Sequence, residues 1–385
     1  MKIISVVGAR PNFMKIAPFV QAIKEYNSQS KDGMIEHLLV HTGQHYDDCM
    51  SRRFFQELNI PEPDVNLGIG SGSHAEQVGY TMIAFEKVIQ AEKPDWIVVV
   101  GDVNATLACS VTAKKEWIRC CHIEAGLRSG DITMPEEINR LVTDRLCDLL
   151  LTPDLLSYQN LRNEGIPEEK IRFVGNIMID TMEAHHEKAS LLTIEDIIKT
   201  NLLSENKFKT VAPHDEKYVL MTLHRPSNVD QYEVLSPLIS FLIKDLASKI
   251  TLLWPIHPRT MKQLKEFNLF EAVANHPNII LLEPLGYIEM LRLNMGARVM
   301  LTDSGGLQEE CTVLGTPCLT LRWNTERPVS LKRNGGVGVL VGNDINIIKK
   351  EFETALGQAR IKSRPDLWDG KTAHRCLQTI LTYKI

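Results

Sequence analysis

Two carboxylic acids follow apolar segments in the first half of the chain. Asp102 comes directly after Gly101 and the run Trp96–Val100, and Glu124 ends the run Cys120–Ile123. A carboxyl at the end of a buried strand is partly desolvated, an environment typical of general acids and bases. Asp102 also suits the N-cap of a helix predicted over Asn104–Glu116. The two residues are therefore candidates for proton transfer, with capping as the alternative for Asp102.

Glu136 has two interpretations. It follows Pro135 in the first turn of a predicted helix, where the helix dipole and an i,i+4 pair with Arg140 account for an acidic side chain. On spacing alone, this structural role is favoured over a role in proton transfer.

A second kind of site is indicated at Ser304-Gly305-Gly306. These residues follow the short apolar run Val299–Thr302 and precede a helix whose apolar positions are Leu307, Cys311 and Leu314. Two glycines at a helix start let the backbone approach a ligand closely, and the free N–H groups favour a phosphate. The alternative is a plain helix start capped by Ser304. Glu310 is unusual, because it lies beside the apolar stripe where a solvated carboxylate is not expected.

Cationic side chains also occur where strands are predicted to end. Each alone is typical of a surface ion pair, but together with the glycine turn they indicate a diphosphate site. They are Arg10, Lys15, Arg225, Arg322 and Arg327.

The elements that must position these residues are alternating strands and helices along the whole chain. Such alternation predicts an α/β protein with parallel, doubly wound sheets, and 385 residues are too many for one ordinary core. We place the domain boundary near Gly175, read 180–215 as a helix plus a surface linker, and predict a last helix at Ala373–Leu381. Pro18 argues that Asn12–Lys15 is loop.

Polar residues recur just past the predicted carboxyl ends of the strands, which is where open α/β sheets bind ligands. Because both domains contribute, the sequence predicts a cleft between them. The residues are Arg10, His41 to His45, Asp102, Glu124, His224, His257, Ser304 and Arg322.

Composition excludes several classes of function. The net charge is −5 without a basic face, so we expect neither nucleic-acid nor membrane binding, and no apolar run approaches the roughly 18 residues of a membrane span. The eight cysteines contain no C-x-x-C pair, which predicts reduced thiols in a cytoplasmic protein.

The histidines and their acidic neighbours do not indicate a metal site. His41, His45 and the pair His122 and Glu124 lack the spacing of zinc ligands, so no metal is expected. No G-x-G-x-x-G or G-x-S-x-G motif is present.

Assembled in order, these segments resemble the non-hydrolysing UDP-N-acetylglucosamine 2-epimerase family over nearly the whole chain. The motifs that carry the resemblance are Gly8-Ala9-Arg10-Pro11-Asn12-Phe13-Met14-Lys15, His41-Thr42-Gly43-Gln44-His45, Gly101-Asp102-Val103-Asn104, His122-Ile123-Glu124-Ala125-Gly126-Leu127-Arg128, Pro135-Glu136-Glu137-Ile138-Asn139-Arg140, Leu223-His224-Arg225, Asp303-Ser304-Gly305-Gly306-Leu307-Gln308-Glu309-Glu310 and Thr325-Glu326-Arg327-Pro328.

The resemblance implies two Rossmann-like domains facing a central cleft, in the glycosyltransferase-B arrangement. The domains would be residues 1–175, joined by the C-terminal helix at about 367–385, and residues 176–366. It implies reversible inversion at C2 of UDP-N-acetylglucosamine, by elimination of UDP to a 2-acetamidoglucal and re-addition, without a cofactor or metal. It also implies a homodimer.

Residue roles come from the same resemblance. It assigns catalysis to Asp102, Glu124, Glu136 and His224, which reverses the structural interpretation of Glu136. It assigns substrate binding to Arg10, Lys15, His45, Arg140, Ser304, Gly305, Gly306, Glu310, Arg322 and Arg327, with Glu310 on the ribose.

Alternatives stay open for the sugar and the reaction. Gly8-Ala9-Arg10-Pro11 and Met134-Pro135-Glu136-Glu137 also resemble epimerases of UDP-diacetamido-uronic acids or deoxysugars. A hydrolysing epimerase that releases N-acetylmannosamine and UDP usually opens Gly-x-Arg-Ala-Asp, whereas Pro11-Asn12 stand here. A glycosyltransferase of the same fold and a non-enzymatic UDP-sugar sensor are further alternatives. Pro226 replaces a second arginine after His224-Arg225, so allosteric activation by substrate is not expected from this position.

Overall fold

The chain divides into two compact units. A computed structural model describes residues 1–29, 33–43, 58, 60–206 and 212–383. Unit 1 comprises Met1–Ala184 together with Asp366–Ile385, and unit 2 comprises His185–Pro365. The first unit thus extends beyond the boundary at Gly175 that the sequence suggested, into the helix that follows.

Unit 1 is built on a parallel sheet. Its strands are β1 (Lys2–Val7), β2 (Glu36–His41), β3 (Val65–Asn66), β4 (Trp96–Val100), β5 (Arg119–Ile123), β6 (Leu149–Thr152) and β7 (Ile171–Phe173). They lie in the order β3-β2-β1-β4-β5-β6-β7. Its helices are α1 (Arg10–Gln29), α2 (His74–Glu92), α3 (Asn104–Lys115), α4 (Pro135–Leu146), α5 (Leu155–Asn163) and α6 (Ile177–Ser190).

The strands form because their apolar runs are continuous. Every residue of β4 and β6 is buried, as expected for strands of a parallel sheet that is covered on both faces. Strand β3 was not predicted, since only two residues of it pair with β2. The helix predicted over Asp48–Leu58 lies outside the described residues apart from Leu58.

The prediction of a loop at Asn12–Lys15 is wrong, because α1 begins at Arg10 and contains Pro18. A proline inside a helix removes the hydrogen bond to the carbonyl four residues earlier, which here belongs to Met14. The hydroxyl of Thr181 donates to that carbonyl instead. The helix therefore continues through Pro18, since a side chain distant in sequence satisfies the acceptor.

The last helix, α15 (Thr372–Thr382), belongs to unit 1. The Asp180 carboxylate accepts the N–H groups of Thr372 and Ala373 at 3.0 and 2.7 Å, which caps the start of α15. The Trp368 indole donates to the Pro153 carbonyl at 2.9 Å and is buried. These contacts attach the end of the chain to elements that precede it by nearly two hundred residues.

Unit 2 repeats the architecture. Its strands are β8 (Tyr218–Thr222), β9 (Thr251–Pro255), β10 (Ile279–Leu282), β11 (Val299–Thr302), β12 (Cys318–Thr320) and β13 (Gly338–Leu340), in the order β10-β9-β8-β11-β12-β13. Its helices are α7 (Ile194–Asn201), α8 (Pro226–Val229), α9 (Tyr232–Phe241), α10 (Pro258–Glu266), α11 (Phe270–Ala274), α12 (Tyr287–Gly296), α13 (Gly305–Leu314) and α14 (Ile345–Gly357).

Both sheets are parallel and alternate with helices, which confirms the predicted α/β class. In each unit the strand order reverses beside the first strand, β1 or β8, and such points bind ligands at the carboxyl ends of the strands. Within the described part of the chain, no helix combines the length and apolar character needed to cross a membrane.

Candidate active site

The carboxyl ends of β1, β4 and β5 bring three sequence motifs of unit 1 together. These strands are neighbours in the sheet. The ammonium of Lys15, on α1, forms an ion pair with the Glu124 carboxylate after β5. Their side chains are only 5% and 2% exposed, so the pair is enclosed by protein. Two residues that the sequence assigned to different tasks, anion binding and proton transfer, thus contact each other.

Gly101 lies at the centre of this group. Its φ is +67°, and a Cβ at this position would lie 3.0 Å from Lys15 Nζ and 3.3 Å from Glu124 Oε2. The backbone conformation therefore favours glycine, and any larger residue would also crowd the Lys15–Glu124 pair. Glu124 itself has a φ of +75°, which is uncommon for a residue other than glycine. Strained backbone of this kind is concentrated at functional sites.

Asp102 is held by α4. Arg140 donates from Nη1 to the Asp102 carboxylate, and the Asn139 amide donates to the Asp102 carbonyl at 2.8 Å. The helix α3 is preceded by Val103 as N-cap, without a side-chain capping bond, so the capping interpretation of Asp102 is wrong. The Asp102 side chain is 21% exposed, which leaves it accessible to a ligand.

The predicted pair between Glu136 and Arg140 is also wrong. Arg140 donates from Nε and Nη2 to Glu137 at 2.9 and 2.6 Å, and Glu136 is exposed on the first turn of α4. Burial raises the pKa of the Glu137 carboxyl, but the backbone N–H of Ser129 and the charge of Arg140 bring it below its ordinary value. The structure therefore brings Asp102 and Arg140 together and leaves Glu136 apart from them.

In unit 2, the neighbouring strands β8 and β11 bring His224 to Asp303. His224 Nδ1 lies 2.7 Å from Asp303 Oδ1, and Asp303 Oδ2 accepts the N–H groups of His224 and Arg225 at 3.0 and 2.8 Å. Burial alone raises the pKa of Asp303, but the hydrogen bond and charge of His224 lower it below its ordinary value. Asp303 is buried, whereas the His224 side chain is 39% exposed. Asp303 thus fixes the ring of a histidine that a ligand can reach.

The helix start at Ser304-Gly305-Gly306 is confirmed, with Ser304 as N-cap but without a side-chain capping bond. The Ser304 N–H donates to Thr302 Oγ1 at 3.0 Å, and Gly305 and Gly306 are the first residues of α13. A Cβ at Gly305 would lie 2.6 Å from both Arg327 Nη1 and Glu326 Oε1. The turn needs glycine there because it packs directly on an ion pair, a reason that the sequence did not reveal.

That ion pair is part of a buried cluster of four charges, which we call the α13 charge cluster. It consists of Glu309, Arg322, Glu326 and Arg327. Arg322 Nη2 lies 2.7 Å from Glu326 Oε2, Arg327 Nε lies 3.1 Å from Glu309 Oε2, and Arg327 also pairs with Glu326. The two arginines that the sequence assigned to the substrate are therefore neutralised by two carboxylates of their own unit.

Glu310 is buried beside Tyr287 and Asn294 on α12. Burial and, to a smaller extent, the nearby Glu309 raise the pKa of its carboxyl, while hydrogen bonding to Tyr287 and Asn294 lowers it, and the net result is a pKa of about 7. The anomaly seen in the sequence thus becomes a carboxyl that changes charge near neutral pH.

Two of the predicted substrate-binding residues, Arg10 and His45, lie outside the contacts described above. Arg10 is the first residue of α1, and His45 lies outside the described residues. Sequence reasoning missed several residues that hold the site together: Asn12, Glu137, Asp303, Glu309 and Glu326. Of these, Asn12 had the clearest signal in the sequence, because an asparagine beside a turn commonly hydrogen-bonds the backbone of that turn. Its Oδ1 accepts the N–H groups of Gly8 and Ala9, each at 3.2 Å.

Comparison with known proteins supports the resemblance along the whole chain. The family described as UDP-N-acetylglucosamine 2-epimerase matches residues 27–381. The UDP-N-acetylglucosamine 2-epimerase of Methanocaldococcus jannaschii is 42% identical over 385 residues, covering 100% of this chain and 99% of the relative. The UDP-2,3-diacetamido-2,3-dideoxy-D-glucuronate 2-epimerase of Pseudomonas aeruginosa is 36% identical over 375 residues, covering 97% of each.

Solved structures agree. The crystal structure of the Methanocaldococcus jannaschii enzyme in complex with UDP-GlcNAc and UDP superposes with a TM-score of 0.87 at 40% identity, covering 100% of both chains. The Neisseria meningitidis enzyme bound to UDP-GlcNAc superposes with a TM-score of 0.83 at 27% identity, covering 99% of this chain and 100% of that one. The family predicted from the motifs is confirmed: this chain belongs to the UDP-N-acetylglucosamine 2-epimerase family.

Proposed function

We propose that this protein epimerises UDP-N-acetylglucosamine at C2 to UDP-N-acetylmannosamine, reversibly. The observation that carries the proposal is the pair of acidic groups at the ends of β4 and β5, each bound to one buried cation. Asp102 is bound to Arg140 and Glu124 to Lys15. Two separately supported carboxylates suit a reaction that removes a proton from one face of a carbon and returns it to the other. Full-length similarity to enzymes of this name supports the same reaction.

The proposed chemistry is an elimination followed by an addition. A carboxylate takes the proton from C2, the bond between C1 and the diphosphate oxygen breaks, and 2-acetamidoglucal and UDP form. UDP then adds back to C1 while an acid delivers a proton to C2 from the opposite face. No net oxidation occurs, so the proposed route uses no redox cofactor. Asp102, Glu124 and Glu136 are the proposed acid–base residues, and His224, oriented by Asp303, acts on the leaving diphosphate.

The nucleotide side is proposed for unit 2. The N–H groups at the start of α13 suit the diphosphate, and ionised Glu310 suits the ribose hydroxyl groups. On the family resemblance, Arg10, Lys15 and His45 are further proposed contacts of the diphosphate. The α13 charge cluster gives Arg322 and Arg327 a supporting role beneath the glycine turn.

A panel of UDP-sugars in deuterated water tests the reaction. We expect UDP-N-acetylglucosamine to give a mixture with its manno epimer, with deuterium at C2 of both, observed by proton NMR. Absence of deuterium at C2 from every UDP-sugar tried would remove the proposal. Release of UDP together with free N-acetylmannosamine would favour a hydrolysing epimerase, and release that needs an added acceptor would indicate a glycosyltransferase. Binding without exchange would indicate a sensor.

A second candidate substrate is UDP-2,3-diacetamido-2,3-dideoxy-D-glucuronate. The observation that favours it is the 36% identity, over 97% of both chains, to the Pseudomonas aeruginosa epimerase named for that sugar. The relative rates of deuterium entry at C2 of the two sugars decide between them.

We also infer a cytoplasmic homodimer. The dimer rests on the family resemblance. The cytoplasmic location rests on the cysteines, because the seven in the described residues are buried and free. Sedimentation equilibrium of the reduced protein tests the dimer, and a monomer at all concentrations would contradict it.

Ser304→Ala is expected to weaken UDP binding only modestly, by roughly three- to tenfold, which corresponds to one lost hydrogen bond. The backbone N–H groups of α13 remain, and Ser304 makes no capping bond that its loss would break. Isothermal calorimetry with UDP measures the effect, with the exposed Ser248→Ala as the matched control in the same unit. A loss above a hundredfold would show that the hydroxyl, and not the helix start, dominates.

The affinity for a UDP-hexose is expected to rise between pH 6 and pH 8. Glu310 has a pKa of about 7, so roughly a tenth of the protein carries the ionised carboxylate at pH 6 and roughly nine-tenths at pH 8. If only the carboxylate accepts the ribose hydroxyls, the apparent Kd falls roughly tenfold across this window. Calorimetry with UDP-glucose measures it, since this ligand has no phosphate group that titrates near pH 7.

Glu310→Gln provides the control for this pH dependence. The amide does not titrate, so the variant should lose the increase in affinity between pH 6 and pH 8. An unchanged increase in the variant would assign the titration to another group.

A further inference from the structure

A buried histidine lies behind the acidic groups of unit 1. His122, in β5, is 0% exposed. Its Nδ1 lies 2.6 Å from Asp144 Oδ1 on α4, and its Nε2 lies 2.8 Å from the carbonyl oxygen of Gly101. Neither the acid–base proposal nor the nucleotide proposal uses this side chain.

Both partners of His122 are hydrogen-bond acceptors. A carbonyl oxygen can only accept, so Nε2 must carry a proton. On its other oxygen, Asp144 accepts from the Gly126 N–H at 3.0 Å and from Arg128 Nη1 at 2.7 Å, and the guanidinium charge of Arg128 favours an ionised carboxylate. An ionised carboxylate also only accepts, so Nδ1 must carry a proton as well. A ring that donates from both nitrogens is an imidazolium.

The charged groups around the ring also include Arg128 and Glu164. Burial alone raises the pKa of the Asp144 carboxyl, but the charges and hydrogen bonds of His122 and Arg128 lower it below its ordinary value. Arg128 is shared with Glu164, at the end of α5, at 2.7 Å. Asp144, Arg128 and Glu164 are thus the charged groups linked to His122 from the helices and the loop packed around it.

This network joins the two proposed acid–base segments. Through His122, Asp144 holds the carbonyl of Gly101, the residue before Asp102. Through the Gly126 N–H, the same carboxylate holds the turn that follows Glu124. A Cβ at Gly101 would lie 3.3 Å from Glu124 Oε2, so a shift of the Gly101 backbone changes the space around the Glu124 carboxylate.

We propose that His122 is a positioning residue that works as a buried imidazolium and, with Asp144, sets the separation between Asp102 and Glu124. The assignment of acid–base chemistry to these two carboxyls rests on the proposed function above. The charge state and the two hydrogen bonds of His122 do not depend on it. A core histidine that only fills space would need neither a second proton nor a bond to the Gly101 carbonyl.

Proton NMR of protein labelled with ¹⁵N in histidine rings tests the charge state in the unmodified chain. At pH 8, where an ordinary imidazole is neutral, we expect both ring nitrogens of His122 to show the shifts of protonated nitrogens. Free histidine at the same pH gives the reference shifts of a neutral ring. A His122 ring with one unprotonated nitrogen at pH 8 would overturn the proposal.

Two substitutions test the positioning role, because asparagine and glutamine mimic different ring nitrogens. His122→Gln places its amide nitrogen near Nε2 and keeps a donor for the Gly101 carbonyl. His122→Asn places its amide nitrogen near Nδ1 and keeps the bond to Asp144, but releases Gly101. Both remove the charge, so both should lower stability similarly.

The ratio of kcat between the two variants tests whether His122 has a positioning role. We expect kcat of His122→Asn to be roughly ten- to a hundredfold below that of His122→Gln, the size expected for misplacement of an acid–base group, with KM within about twofold. Equal kcat values would reduce His122 to a structural residue and overturn the proposal. If no UDP-sugar exchanges deuterium at C2, the proposed function fails while the NMR result still decides the state of His122. The NMR result also stands if neither variant folds.

Discussion

Glu124→Gln is expected to lower turnover on the order of 10²-fold or more while leaving UDP affinity nearly unchanged. Glutamine has the shape of glutamate but cannot take up a proton, so the variant loses one acid–base partner. The proposed uridine and ribose contacts belong to unit 2, which this substitution does not touch. The amide oxygen of the new side chain can still accept from Lys15, a proposed diphosphate contact. Deuterium entry at C2 measures turnover, and calorimetry with UDP measures binding and shows that the variant is folded.

Glu36→Gln is the matched control for this substitution. Glu36 also pairs with a lysine of unit 1, Lys2, but its side chain is 66% exposed, against 2% for Glu124. An exposed pair contributes about 1 kcal/mol or less, so near wild-type turnover is expected. Turnover of Glu124→Gln equal to that of the control would remove Glu124 from the acid–base residues.

The architecture could be predicted because its signals are local. Runs such as Trp96–Val100 are apolar throughout, and their alternation with amphipathic segments leaves little choice but a parallel sheet with helices on both faces. The helix start at Gly305 could be predicted for the same reason, since the two glycines and the apolar positions that follow them lie within about ten residues. Pro18 gave a wrong prediction because the rule that proline interrupts a helix considers only nearby residues. The hydroxyl of Thr181, which satisfies the Met14 carbonyl, is distant in sequence.

The positions of the acidic residues were predictable, but their partners were not. Strand ends indicated Asp102 and Glu124, yet Arg140 lies 38 residues from Asp102 and Lys15 lies 109 residues from Glu124. Pairing across such distances depends on how helices lie against the sheet, which periodicity does not encode. The same limit explains why Arg322 and Arg327 suggested phosphate ligands: a single sequence shows the cations but not the buried carboxylates that neutralise them.

Arg327→Met is expected to destabilise unit 2 by about 3–5 kcal/mol, because it removes one partner from a buried ion pair. The Arg327 side chain is 6% exposed, and its removal takes a cation away from Glu309 and Glu326, whose side chains are 1% and 4% exposed. Urea unfolding, together with hydrogen exchange of the α13 amides, measures the loss. Arg259→Met is the matched control, since its pair with Asp230 has the same chemistry at 46% and 30% exposure and should cost about 1 kcal/mol or less.

The double substitution Arg327→Met/Glu309→Gln separates a supporting role of Arg327 from direct contact with the ligand. Neutralising Glu309 removes a buried charge, so stability should partly return. If Arg327 acts only by supporting the Gly305 turn, UDP affinity should return in the same proportion, because the turn regains its packing. If Arg327 binds the diphosphate itself, stability should return without affinity. The α13 charge cluster would then supply a cation to the substrate directly and would not act by supporting the Gly305 turn. The distance of 2.6 Å between Arg327 Nη1 and a Cβ at Gly305 favours the first outcome, since the guanidinium already fills the space against which the turn packs.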